Sequence, residues 1–226
     1  MGLRTLTRSS IGKKVVMSVT GLILLGFVMA HLLGNLLIFC GPDALNAYAL
    51  KLRMLGPGLW MARLVLLGSV LAHVWTSIQL TIENRAARPH AYQVYRPRQT
   101  TQAAQTMIIS GVLIVAYVVY HLLHATFQVT NPEVAHLVDA LGRHDVYRMM
   151  VLSFQQWGIS LAYLVGVAAV CWHLSHGIGS SPQTLGMTNE RAISWLMRLG
   201  QLIALVIFMG YASIPLAVWL GIVRLS

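Results

Sequence analysis

The chain has 226 residues, of which 57% are hydrophobic and only 10% charged, against the roughly 25% charged residues of an ordinary soluble domain. That balance excludes a water-soluble globular protein, and the grouping of apolar residues into runs of roughly twenty matches helices that cross about 30 Å of hydrocarbon. The formal charge of +10 sits between those runs with no recognition motif beside it, so it speaks for membrane topology and not for nucleic-acid binding.

Five spans are expected, in chain order. The first, about 14–39, follows Arg4, Arg8, Lys13 and Lys14. These bases resemble the start of a signal peptide, but the run is too long for one and lacks a small-residue cleavage pattern, so a permanent helix is predicted. Gly41-Pro42 ends it, and Asp43 is the expected N-cap of a short amphipathic helix along the outer surface. In that helix Leu45, Tyr48, Leu52 and Leu55 recur at helical spacing until Gly56-Pro57-Gly58 stops it. The second span, about 60–82, leads into a basic loop that carries Arg85, Arg88, Arg96 and Arg98. The third, about 102–129, gives way at Asn131-Pro132 to a loop with Glu133, Asp139 and Asp145. The fourth, about 148–177, should end at Gly179 and Pro182, and the fifth, about 193–222, contains Pro215, where a kink is expected.

With the N-terminus inside, Arg4, Arg8, Lys13, Lys14, Arg85, Arg88, Arg96, Arg98, Arg191 and Arg198 all face the cytoplasm, against six bases elsewhere. The positive-inside rule selects that orientation. Such a basic face suits anionic headgroups or an acidic partner subunit. The expected architecture is all-α: one integral membrane domain, 1–226, of five transmembrane helices packed through Gly and Ala, because helices satisfy their own backbone groups in lipid.

Cys40 and Cys171 fall at different depths, so no disulfide is expected between them. Two cysteines without a C-x-x-C pair cannot hold an iron–sulfur cluster or structural zinc, and no G-x-G-x-x-G fingerprint is present. Flavin or iron–sulfur chemistry must come from other chains.

Nine histidines are present, and His31, His73, His121, His124, His173 and His176 lie within apolar spans. An ionisable side chain is costly there and usually functional. An isolated case can be a histidine hydrogen-bonded across helices; four helices with at least one each make that reading uneconomical. Helix direction pairs them by depth: His31 with His121 toward the outer leaflet, and His73 with His173 nearer the cytoplasm. Two such pairs suit the axial ligands of two haems stacked across the membrane, with the fifth helix outside the haem-binding four. Small residues near the histidines, Gly34, Ser69, Ser77, Ala125, Ala169 and Gly177, give a flat macrocycle room, as they would ordinary helix packing. The H-x-x-H pairs His121/His124 and His173/His176 also have metal-site spacing, but no carboxylate lies near either. Spacing alone leaves open which member of each pair ligates.

At these residues the chain resembles the single-polypeptide, five-helix, dihaem cytochrome b subunit of bacterial succinate dehydrogenases and fumarate reductases. The likeness rests on A-H-L-L-G-N-L at His31, the following G-P-D-A-L-N-A-Y-A, A-H-V-W-T-S-I-Q-L-T at His73, Y-H-L-L-H at His121 and W-H-L-S-H-G at His173, and it covers most of the chain. It implies haem ligation by His121 and His173 over His124 and His176, so that His31 and His121 hold an outer haem b and His73 and His173 an inner one. It implies a multi-pass protein of the bacterial inner membrane that passes electrons between an iron–sulfur subunit and menaquinone or ubiquinone. Succinate or fumarate chemistry would reside in a flavoprotein subunit, and the whole complex can form a higher oligomer. A glutamate that serves quinol proton transfer in some of these enzymes has no counterpart between Cys40 and Trp60, where Asp43 is the lone acid. Ser18 and Thr20, near the cytoplasmic end, are as well placed to bond their own helix as a quinone.

Three other readings compete. One is the cytochrome b subunit of another quinone-linked dehydrogenase, such as formate dehydrogenase or hydrogenase. A second is a histidine-lined proton-coupled transporter, which fits five uninterrupted spans poorly. The third is a haem-free scaffold, against which the full set of four histidines speaks.

Overall fold

The computed structural model describes residues 9–87 and 100–225. Among these the fold is all-helical, with five helices long and apolar enough to cross a membrane. Arg4, Arg8, Arg88, Arg96 and Arg98 lie outside the described residues.

The first span is α1 (Ser10–Asn35), which tightens into a 3-10 turn, Leu36–Cys40. Ser9 caps it by accepting from the Gly12 amide at 3.0 Å. The amphipathic helix α2 (Pro42–Met54) forms as expected, but Asp43 is not its N-cap. Pro42 takes the first helical position, where its missing N–H is harmless, so Gly41 becomes the cap at φ +93° and Asp43 falls in the first turn. Gly56-Pro57-Gly58 stops α2 as expected and by the same logic also serves as a start, since Pro57 opens the second span, α3 (Pro57–Ala86).

The third span is not one helix. A short α4 (Gln102–Gln105) breaks at Thr106 before α5 (Met107–His121), which passes directly into a π-helical turn, Leu122–Thr126. The Thr106 hydroxyl donates to the Gln102 carbonyl at 2.9 Å and accepts the Trp172 indole N–H at 2.8 Å; a hydroxyl bonded back to its own helix favours a bend. The fourth region is also divided, into α6 (Val146–Gln155) and α7 (Trp157–Thr184), by an extended Gln156 at ψ 112°. Ser160 donates at 2.6 Å to the Phe154 carbonyl freed by that break. Thr106 and Gln156 therefore move the starts of the third and fourth spans from about 102 and 148 to Met107 and Trp157, and each span is continuous from there. Gly179 and Pro182 do not end α7 either. The stop is Gly186 at φ +71°, closed by Met187 N–H donating to the Pro182 carbonyl at 2.9 Å. The fifth span, α8 (Glu190–Trp219), is capped by the Asn189 side chain and carries Pro215 inside it.

Gly179 serves packing instead. A Cβ there would lie 2.8 Å from Met197 Cα, and one on Gly200 would lie 3.0 Å from the Gly179 amide nitrogen, so α7 and α8 meet backbone to backbone. The α1 helix packs on α3, and α5 packs on α7, while the two pairs meet chiefly through α1 and α7. Large apolar side chains such as Leu64, Leu67, Leu71, Val112, Leu202 and Met209 face outward, as lipid requires, and Trp60, Trp157, Trp195 and Trp219 are exposed near the ends of their helices.

Polar contacts mark the two ends. At the end that carries residue 10, here the proximal end, buried Lys13 pairs with Glu83, and Ser18 donates to the Ser181 carbonyl at 3.2 Å. At the distal end, fully buried Asn46 donates to Asp139 at 3.2 Å and Asp145 at 3.0 Å and accepts the Tyr147 amide at 3.0 Å. Arg143 joins Asp139 and Asp43 beside it, at 2.7 and 2.8 Å. Cys40 and Cys171 are both free thiols.

Candidate functional site

The four histidines singled out by depth meet as the two expected pairs. His31 on α1 and His121 at the end of α5 have ring centroids 5.9 Å apart; His73 on α3 and His173 on α7 are at 6.2 Å. Each pair bridges the gap between the α1–α3 and α5–α7 helix pairs. An iron with an imidazole nitrogen roughly 2 Å away on either side would place the ring centroids about 6 Å apart. His124 and His176 are the outer members: neither makes the cross-gap ring contact that His121 and His173 make.

The two levels are well separated. Gly21 lies beside His73, and the rise of α1 from Gly21 to His31 is about 15 Å.

At the proximal pair the chain itself orients both imidazoles and fixes the tautomer of His73. His73 Nδ1 lies 3.0 Å from the Met17 carbonyl, which can only accept, so the proton is on Nδ1. Thr20 Oγ1, 3.3 Å away, has its own proton committed to the Val16 carbonyl at 2.7 Å and offers a second acceptor. His173 Nδ1 lies 3.1 Å from Ser110 Oγ, which is itself 3.1 and 3.2 Å from the Met107 and Thr106 carbonyls; with its proton on either carbonyl, the hydroxyl accepts from His173 Nδ1. His73 thus holds its proton on Nδ1, His173 does so when the Ser110 proton lies on a backbone carbonyl, and neither Nε2 has a hydrogen-bond partner among the described residues. That is the state a metal-ligating histidine adopts when its other nitrogen is oriented by a neighbour. The residues present fit haem on these grounds. The glycine that makes room is Gly21, where a Cβ would come within 3.3 Å of His73 Cε1.

The distal pair is built differently. His31 makes no side-chain hydrogen bond among the described residues; its ring stacks on Phe27 at 5.2 Å and lies 6.3 Å from Tyr211. His121 Nδ1 is 3.2 Å from the Tyr163 hydroxyl, which is also 2.7 Å from His124 Nδ1. Tyr117 lies over α7 only because residue 166 is glycine, since a Cβ there would come within 2.1 Å of the Tyr117 ring.

Sequence reasoning missed Ser110, Tyr163 and Gly21, each of which acts on a histidine from another helix and so leaves no local pattern. Gly34, expected beside a macrocycle, instead packs against Tyr48, whose ring a Cβ would approach to 2.6 Å. Thr20 bonds its own helix and His73, and Ser18 bonds Ser181, so their hydroxyl protons are already committed to backbone carbonyls.

Fold and site define a class: a multi-pass helical membrane protein with two levels of paired intramembrane histidines. A family model for the succinate dehydrogenase/fumarate reductase transmembrane subunit matches residues 81–209, more than half of the chain. The chain belongs to that family, whose members are membrane subunits of a complex with catalytic partner subunits. The match includes His121 and His173, while His31 and His73 precede it. No curated protein sequence and no solved structure matches the chain.

Proposed function

We propose that this chain carries electrons between an iron–sulfur partner subunit and membrane quinone, menaquinone or ubiquinone, with two b haems held by His31/His121 and His73/His173. The observation that carries the reading is the pairing itself: two imidazole pairs at an axial-ligand separation, at two depths, in a member of this family. When bound, haem supplies one-electron redox chemistry whose potential depends on axial ligands, their hydrogen bonds and burial. The chain's own residues orient the ligands: the Met17 carbonyl, Thr20 and Ser110 hold the proximal rings, and Phe27, Tyr211 and Tyr163 hold the distal ones.

In this proposal the proximal end faces the bacterial cytoplasm and the partner subunits, and Lys14, Arg85, Arg191 and Arg198 there supply the positive charge. A flavoprotein subunit performs the succinate or fumarate chemistry. The test is a reduced-minus-oxidised spectrum and a pyridine haemochrome assay on the purified complex, repeated for His31→Ala, His73→Ala, His121→Ala and His173→Ala. Two b haems per chain, with one lost in each variant, is the expected result. A fully assembled complex whose membrane subunit holds no haem overturns the reading.

A further inference from the structure

Among the described residues three buried side-chain atoms have no hydrogen-bond partner, His124 Nε2, Ser153 Oγ and His176 Nδ1, and His124 is the one beside the distal pair. His124 is 5% exposed, stacks on Tyr120 at 5.8 Å, and has an Nε2 with no hydrogen-bond partner. Such a group costs free energy unless it is satisfied. Its placement is specific: the π-helical turn that opens at Leu122, closed by Phe127 N–H donating to the Leu122 carbonyl at 2.8 Å, alters the rotation by which His124 follows His121.

The protons can be assigned by following the chain of bonds. If His121 ligates through Nε2, as proposed above, its proton is on Nδ1 and must be donated to the Tyr163 oxygen. Tyr163 has one proton, and with that oxygen already accepting from His121, it donates to His124 Nδ1. His124 must then carry its own proton on Nε2. The unpartnered atom is therefore an N–H donor, fixed in that role by two side chains beyond it and buried next to the distal pair.

We infer that His124 is a ligand-binding residue, whose Nε2–H takes an acceptor oxygen of a molecule held beside the distal pair, and that Tyr163 is a positioning residue that fixes both His121 and the donor state of His124. The chemistry it recognises is an acceptor oxygen, either a quinone carbonyl or a porphyrin carboxylate. The inference rests on the haem reading of His31 and His121.

The test uses the intact complex with Tyr163→Phe, which removes only the hydroxyl, and His124→Phe, which keeps an aromatic ring and removes the donor. Haem content, the midpoint of each haem and quinol KM and kcat are read together, the distal haem being identified as the one lost in His31→Ala. Tyr163→Phe should raise the distal midpoint and leave the proximal one unchanged, because His121 loses an acceptor that makes it more basic; loss of such an outer partner typically weakens metal holding roughly 10–100-fold. His124→Phe should raise quinol KM about tenfold with kcat nearly unchanged if the oxygen is the quinone's, a loss of about 1.4 kcal/mol. If the oxygen is the porphyrin's, it should shift the distal midpoint with KM unchanged. Two haems present with the distal midpoint and quinol KM unmoved in both variants would overturn the inference while leaving the haem reading intact.

Discussion

The proximal and distal histidine pairs have nearly the same ring separation and are held by opposite means. At the proximal pair the partners are a backbone carbonyl and two hydroxyls that also bond carbonyls of their own helices, so the helix backbone anchors the orientation of both rings. At the distal pair the neighbours are aromatic rings and one phenol shared between two imidazoles, so side chains and not the backbone set which way its proton points. Orientation by backbone and orientation by side chains thus coexist in one bundle, the latter next to the only buried histidine among the described residues.

The comparison is broken most severely by steric substitutions. Gly21→Leu, which drives carbon into His73, should abolish the proximal haem and spare the distal one. Gly166→Leu, which drives carbon into Tyr117, should do the reverse, and the spectra of the two variants beside His31→Ala and His73→Ala decide it. Gly200→Leu lies between α7 and α8 at the proximal side; overpacking there should cost about 1–3 kcal/mol, read as a lower unfolding midpoint of the purified complex with both haems still bound. Ser110→Ala removes the single acceptor of His173 Nδ1 and should weaken retention of the proximal haem, whereas Thr20→Val should do so less because Met17 still serves His73. Competitive transfer of haem to an apo-acceptor ranks the two; equal losses would mean that Thr20 and not the carbonyl orients His73.

The smallest expected effect belongs to the distal surface. Burial pushes the Asp139 carboxyl up, but hydrogen bonds from the Arg143 side chain and from the Arg143 and Leu141 amides outweigh it and hold the group below the ordinary carboxylate value. A depressed carboxyl stabilises fully above the unfolded value, about 4, and that contribution is lost as pH falls through the folded value. Wild type should therefore outlast Asp139→Asn in thermal unfolding at pH 7, with the gap closing below about pH 4.

Much of this was legible in the sequence, for identifiable reasons. Five apolar runs must be helices in lipid, and because helix direction alternates, the positions of His31, His73, His121 and His173 within their runs convert directly into depth. That arithmetic needs no side-chain detail, and the pairs meet as it predicts. A local signal can have two meanings: Gly41-Pro42 and Gly56-Pro57 end one helix as expected and also open the next, whereas Gly179 reads as a stop but is a helix contact. The break at Thr106 is joined to α7 by the Trp172 indole, the Gln156 break and the π turn after His121 are closed by short-range hydrogen bonds with no periodic signature, and Ser110 and Tyr163 matter only through rings on other helices. None of these leaves a period in the sequence.

Asn46 adds a constraint in time. Its side chain makes three hydrogen bonds, all to residues 139–147, which are synthesised long after it. During biogenesis α2 therefore waits on the membrane surface with its central polar group still hydrated, and the distal end of the bundle is latched only when the start of α6 arrives. The order of translation thus makes closing that end a late event in maturation.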